Sequence, residues 1–198
     1  MKLSKSLIML LVVVVGILSL GGCAVSKYNV LVSQEETVNN TWSDLQSSYQ
    51  RRADLIPNLV STVKGYAKHE SETLQGVVAA RAKATQITVD PTKATPQQLA
   101  AYQSAQGELS QALGKLLAIT ENYPDLKANQ NFSELQAQLE GTENRINESR
   151  KLYNAAVQTY NVTVRSFPMN ILSAMFGFEK KTGFEASQEA QNAPSVQF

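Results

Sequence analysis

From Tyr28 onward the apolar residues recur at alternating steps of three and four, the spacing that puts side chains on one face of a helix. The first run follows Leu31, Val38, Trp42, Leu45, Tyr49, Ile56, Leu59, Val63 and Tyr66, with Glu35 and Arg52 standing in two of its slots. It keeps its phase across Pro57. A proline inside a helix lacks the amide that would bond the carbonyl four residues back and crowds that turn, at about 3 kcal/mol. The pattern therefore predicts a kink or a short break there, giving one bent helix or two.

Val89-Asp90-Pro91-Thr92-Lys93-Ala94 reads as a loop, and Thr95-Pro96-Gln97-Gln98 offers an N-cap, a proline at the first helical position and a capping-box glutamine. A helix is predicted to follow, with its seam at Leu99, Tyr102, Leu109, Leu113, Leu116, Thr120 and Tyr123. Tyr123-Pro124-Asp125 stops it, because the residue before a proline disfavours helical geometry. The loop is expected to reach Asn131, where Asn131 with Glu134, or Ser133 with Gln136, caps a last long helix. The seam of that helix is Leu135, Leu139, Thr142, Ile146, Ser149, Tyr153, Val157, Tyr160 and Val164, and Pro168 closes it. No stretch alternates with period two. The fold class expected is all-α, an elongated antiparallel up-and-down bundle of three to four long helices over residues 28–167. Thr, Ser, Gln106 and several tyrosines in the seams predict a narrow core.

The start of the chain departs from this pattern. Lys2 and Lys5 precede an apolar run from Leu7 to Leu20, and Leu20-Gly21-Gly22-Cys23 resembles the bacterial lipobox, in which a cysteine thiol is alkylated by diacylglycerol before cleavage on its N-terminal side. Residues 1–22 thus read as a lipoprotein signal peptide and 23–27 as a lipidated N-terminus with a short linker. Cys23 is the sole cysteine, which leaves it no intrachain disulfide and no cysteine metal cluster, so the lipidation site expected is Cys23. The alternative is that Leu7 to Val25 stays as an uncleaved transmembrane helix. Either way the address is the cell envelope, the bundle facing periplasm or exterior. In a Gram-negative cell, Ala24 after the lipid favours the outer membrane.

Beyond Pro168, residues 168–179 concentrate Met169, Ile171, Leu172, Met175, Phe176 and Phe178 in one short apolar segment. It is expected to pack back on the bundle end, ahead of insertion into lipid or a partner groove. Residues 180–198 read as a flexible tail ending Val196-Gln197-Phe198, expected to be a frayed end, the alternative being a terminus that a PDZ groove captures by strand addition.

Composition adds exclusions. Hydrophobic residues make up 43% and charged residues 18%, an ordinary globular balance for one domain. Of the 18 Lys and Arg, removing Lys2 and Lys5 leaves 16 against 17 Asp and Glu, and the scattered basic residues form no phosphate-tracking stripe. Nucleic acid is not an expected partner; the partners expected are membrane lipid through acylated Cys23 and unidentified envelope proteins.

Several contiguous blocks carry a family resemblance: Arg51-Arg52-Ala53-Asp54-Leu55-Ile56-Pro57-Asn58-Leu59-Val60, Tyr123-Pro124-Asp125-Leu126-Lys127-Ala128, Leu139-Glu140-Gly141-Thr142-Glu143-Asn144-Arg145-Ile146, and the pairs Tyr153-Asn154 and Tyr160-Asn161. In these blocks the chain resembles the LemA family. The resemblance implies a helical bundle at the bacterial envelope, with no established enzymatic activity or cofactor. It departs at the N-terminus, where many members keep an uncleaved apolar helix and this chain has a lipobox-like cysteine.

Candidate chemistry is sparse. His69-Glu70 would open a zinc motif only with a second histidine at position 73, where Thr73 stands, and His69 is the sole histidine. Glu140 and Glu143 read as solvated residues of a polar helix face. No catalytic residue, metal site or cofactor is expected. Arg51, Arg52 and Asp54 beside Pro57 form a structural hinge in which charges pair with the carbonyl freed by the proline or with each other, or else a partner-docking site. With Phe176, Phe178 and Phe198 they are the candidate interaction residues. The function expected is a non-catalytic interaction or scaffold protein anchored to a membrane; the alternative is a binder of an apolar or cell-wall-related ligand between the helices.

Overall fold

The computed structural model describes residues 5–67 and 69–185. Six helices follow in order: α1 (Lys5–Tyr66), α2 (Ser71–Gln86), α3 (Pro96–Thr120), α4 (Pro124–Lys127), α5 (Gln130–Arg165) and α6 (Met169–Phe176). There is no strand among the described residues. Cross-contacts give the topology: Tyr66 meets Asn129, Arg52 meets Glu143 and Trp42 meets Tyr153, so α5 runs antiparallel to α1. Glu70 meets Tyr123 and Lys83 meets Glu108, so α3 runs antiparallel to α2. The long helices are thus up, down, up and down, as the seams predict.

At 62 residues α1 is about 93 Å long, far more than α5 can cover with 36. Its inner seam is buried where expected, from Leu31 through Val63, but Tyr66 is exposed and Ala67 takes its slot. The helix crosses Pro57 without interruption, so it is one helix. Pro57 itself is on the exposed side. The Ala53 carbonyl, which a residue-57 amide would otherwise bond, accepts a hydrogen bond from Arg81 Nε of α2 at 2.7 Å. A neighbouring helix thereby supplies the donor that proline lacks.

The Thr95 cap forms as predicted: Gln98 N donates to Thr95 Oγ1 and Thr95 N to Gln98 Oε1, with Pro96 opening the helix. The cap of α5 falls earlier than expected. Asn129, not Asn131 or Ser133, accepts from Phe132 N at 3.0 Å. The segment before it is not all loop, because Pro124 starts the single turn of α4, which buries Leu126 completely.

The core has two parts. The half far from the N-terminus is mainly aliphatic, built around Ile56, Leu59, Val63, Leu109 and Leu116. The half nearer to it is aromatic, built around Trp42, Tyr49, Tyr102, Tyr153, Tyr160 and Phe184. Phe184 belongs to the segment expected to be a free tail, which is a correction for residues 180–185. After Gly177, whose φ of +76° caps α6 in the left-handed region open to glycine, the chain lies as an extended strap over α1 and α5, burying Lys181 and Phe184. Residues 186–198, with Phe198 among them, lie outside the described residues.

Candidate functional site

Arg52 occupies a seam position that faces the core, and it is 2% exposed. A guanidinium taken out of water needs hydrogen-bond acceptors around it. Its Nη1 donates to Ser110 Oγ at 2.7 Å and to Glu143 Oε2 at 2.9 Å; its Nη2 donates to the Gln106 side chain at 2.7 Å and backbone carbonyl at 3.2 Å. Gln106 Nε2 in turn donates to the Ala84 carbonyl. The node ties α1, α3 and α5 together and reaches α2 through Gln106, at the junction of the aliphatic and aromatic halves. The Tyr49 ring lies 5.3 Å from the guanidinium carbon.

Arg52 is therefore a buried cross-tie rather than a surface residue. Arg51 and Asp54 remain exposed; Asp54 accepts from Gln50, and both residues line a shallow groove with Arg145 of α5. The Ala53 carbonyl is answered by Arg81, so neither arginine of the 51–52 pair serves it. Glu143, expected to be simply solvated, is bound to Arg52, whereas Glu140 is exposed. His69 is exposed in the turn before α2. Among the described residues no group of His, Cys, Asp and Glu could hold a metal ion.

The second charged seam slot, Glu35, is answered from the strap by Lys181 Nζ, which also donates to the Thr92 carbonyl and sits 5.4 Å from the Tyr160 ring centre. The strap is held by paired amides. Asn154 donates to the Phe184 carbonyl and accepts from its amide, at 3.0 and 2.9 Å; Asn161 does the same for Lys181, at 2.8 and 2.9 Å. Tyr153 donates its hydroxyl to the Thr182 carbonyl, and Phe184 stacks on Trp42 at 5.8 Å between ring centres. Burial pushes the phenols of Tyr153 and Tyr160 up to about 12. None of these strap contacts is read from the seams. The signal available was the Tyr-Asn pair repeated after seven residues, which places two amides on one helix stripe.

At the other end of α1, every side chain described from Met9 through Cys23 faces solvent, and by length and composition this part of the helix could cross a membrane. Cys23 is exposed on it, in helix that continues through Gly21 and Gly22. Beside it, α6 and the start of the strap meet α1 at Tyr28, whose ring lies 5.0 Å from that of Phe176 and 5.6 Å from that of Phe178. Leu172 and Phe178 pack on the aromatic core, while Phe176 is 52% exposed.

The chain belongs to the LemA family, whose model matches residues 41–198. It is similar to the magnetosome proteins MamQ 2 and MamQ 1 of Paramagnetospirillum magneticum, each 27% identical over 176 residues that cover 80% of this chain. That alignment spans 65% of the length of each MamQ protein. It is also similar to protein LemA of Metamycoplasma hominis, 25% identical over 83% of this chain and 71% of that one.

Proposed function

We propose that the protein is a membrane-tethered envelope stalk without catalytic activity, anchored through a diacylglycerol thioether on Cys23 after removal of residues 1–22. The observation that carries this reading is the solvent-facing apolar stretch of α1 that ends at an exposed, unpaired Cys23 behind Leu20-Gly21-Gly22. An apolar helix with no protein against it suits a leader that the membrane takes in during export, and acyl chains on Cys23 would hold the bundle at the bilayer once that leader is removed. The bundle serves as a rigid spacer and docking body: the Trp42, Tyr102 and Tyr153 rings fill the interior at 5.2 to 5.6 Å between centres, which favours a scaffold over a ligand carrier. The charged groove of Arg51, Asp54 and Arg145 is the face offered to envelope proteins.

The test is labelled palmitate fed to cells making the wild type or Cys23→Ser, followed by fractionation. Label on the wild type and none on the variant supports the acyl tether. An unlabelled protein that still sediments with membranes favours instead an uncleaved anchor helix, the reading that the unbroken course of α1 from Lys5 supports. Unlabelled protein released into aqueous extracts refutes membrane tethering in both forms.

A further inference from the structure

The short helix α6 has two faces. Met169 and Ser173 are buried and Leu172 packs on the aromatic core. The opposite face is bare: Ile171 and Met175, four residues apart, are 53% and 71% exposed, with Phe167 at 81% before them and Phe176 at 52% beside them. A contiguous exposed apolar surface of this kind marks a contact with something else.

Its position in the molecule identifies what that is. Phe176 and Phe178 meet Tyr28, which stands three residues beyond Val25, or about 4.5 Å of helix rise, and five residues beyond Cys23, or about 7.5 Å. The polar zone on each side of a bilayer is about 5–8 Å thick. Whether α1 is held by an acyl chain at Cys23 or by a span ending near Val25, Tyr28 and its aromatic partners fall in that zone, where aromatic rings are favoured. The exposed cations Lys27, Arg165 and Lys180 flank the same end, and Glu179 is the sole acidic residue between Arg165 and Lys181. A basic rim around an apolar face suits anionic phospholipid.

We propose that α6 is a second membrane contact. It lays Phe167, Ile171, Met175 and Phe176 into the headgroup boundary of the leaflet where α1 is tethered, and so fixes the tilt of the bundle against the bilayer. This rests on the membrane tether proposed above. A bundle held at α1 alone would pivot about Ser26 and Lys27; held at α6 as well, it has two points of support.

The experiment uses the full chain reconstituted in vesicles of phosphatidylcholine and phosphatidylglycerol, with bromines near the top of the acyl chains. The wild type carries one tryptophan, Trp42, about 21 Å further along α1 from Tyr28 and enclosed in the core, so its emission should be insensitive to the bromines. Met175→Trp and Phe167→Trp each add an indole at a solvent-facing site that tolerates it. The added emission should shift to the blue and lose most of its intensity in brominated vesicles. Flotation of the same samples reports the tether independently: protein that fails to float overturns the anchoring reading. Protein that floats while both added indoles stay unquenched overturns the α6 contact alone. A blue shift without quenching, accompanied by dimers on crosslinking, also overturns it and puts a second copy of the chain on this face.

Discussion

Replacing Arg81 by alanine removes the donor that answers the Ala53 carbonyl, and the size of the loss should depend on what stands at position 57. In the wild type, Pro57 offers no amide, so Arg81→Ala leaves a buried carbonyl unbonded, at about 1–3 kcal/mol beyond the packing lost with the side chain. With Pro57→Ala, an amide returns to the helix and can bond Ala53 as in any uninterrupted turn. Arg81→Ala should then lose only its packing contribution. The four proteins of this double-mutant cycle, held in detergent and unfolded by urea under far-ultraviolet circular dichroism, should show a coupling of about 1 kcal/mol or more. Pro57→Ala alone should stabilise, since the intrinsic proline penalty of about 3 kcal/mol exceeds the roughly 1 kcal/mol gained by loosening the unfolded chain. A coupling below about 0.5 kcal/mol would mean that the 2.7 Å contact is incidental and the cross-helix rescue of the proline is wrong.

Arg52→Ala should be among the most damaging single changes, losing about 3 kcal/mol, because Gln106 and Ser110 lose a charged partner inside the bundle. Glu143→Gln, at a half-exposed position, should lose no more than about 1 kcal/mol, and equal effects of the two in urea titrations would contradict the cross-tie. Asn154→Ala removes both amide contacts to Phe184, so tryptic cleavage after Lys180 and Lys181 should accelerate severalfold while far-ultraviolet dichroism stays unchanged; an unaltered cleavage rate would show that the strap is held without its clamp. For the buried phenols of Tyr153 and Tyr160 the folded-state pKa lies above the ordinary 10.0. The stability they contribute is complete below pH 10 and is lost as pH rises through about 12, so phenolate absorbance should appear together with unfolding in that window. Phenolate forming near pH 10 with helix intact would place these rings in water.

The helical architecture was legible because its signal is local and periodic: every position from Leu99 to Thr120 named in the α3 seam is buried, and the Thr95 box starts the helix as the residues require. The α5 cap was expected two or four residues late, at Asn131 or Ser133, since Asn129 and both of these carry a side-chain oxygen that can cap, and the turn made by Pro124 decides among them. Glu35 and Arg52 could be seen to interrupt the seam, but not what they pair with, because their partners Lys181 and Glu143 lie far along the chain. The strap escaped for a related reason. Its backbone is recognised by the side chains of Asn154 and Asn161 rather than by helical periodicity, so it carries only Phe184 and Lys181 as inward residues. Likewise, the apolar character of α6 was plain while its division into a packed and a bare face needed the position of Tyr28.

The distance in sequence between Glu35 and Lys181, 146 positions, sets an order of events during biosynthesis. Leu31, Val38 and Trp42 leave the ribosome early, yet the residues that roof them, Lys181 and Phe184, are made only after all of the helical hairpins. The compartment nearest the apolar start of α1 is thus the last to be sealed, and loop-closure entropy makes that pairing slow to form. A chain terminated between residues 177 and 180 would keep every helix and yet leave bare the face of Trp42 on which Phe184 stacks, an apolar surface that marks an unfinished product.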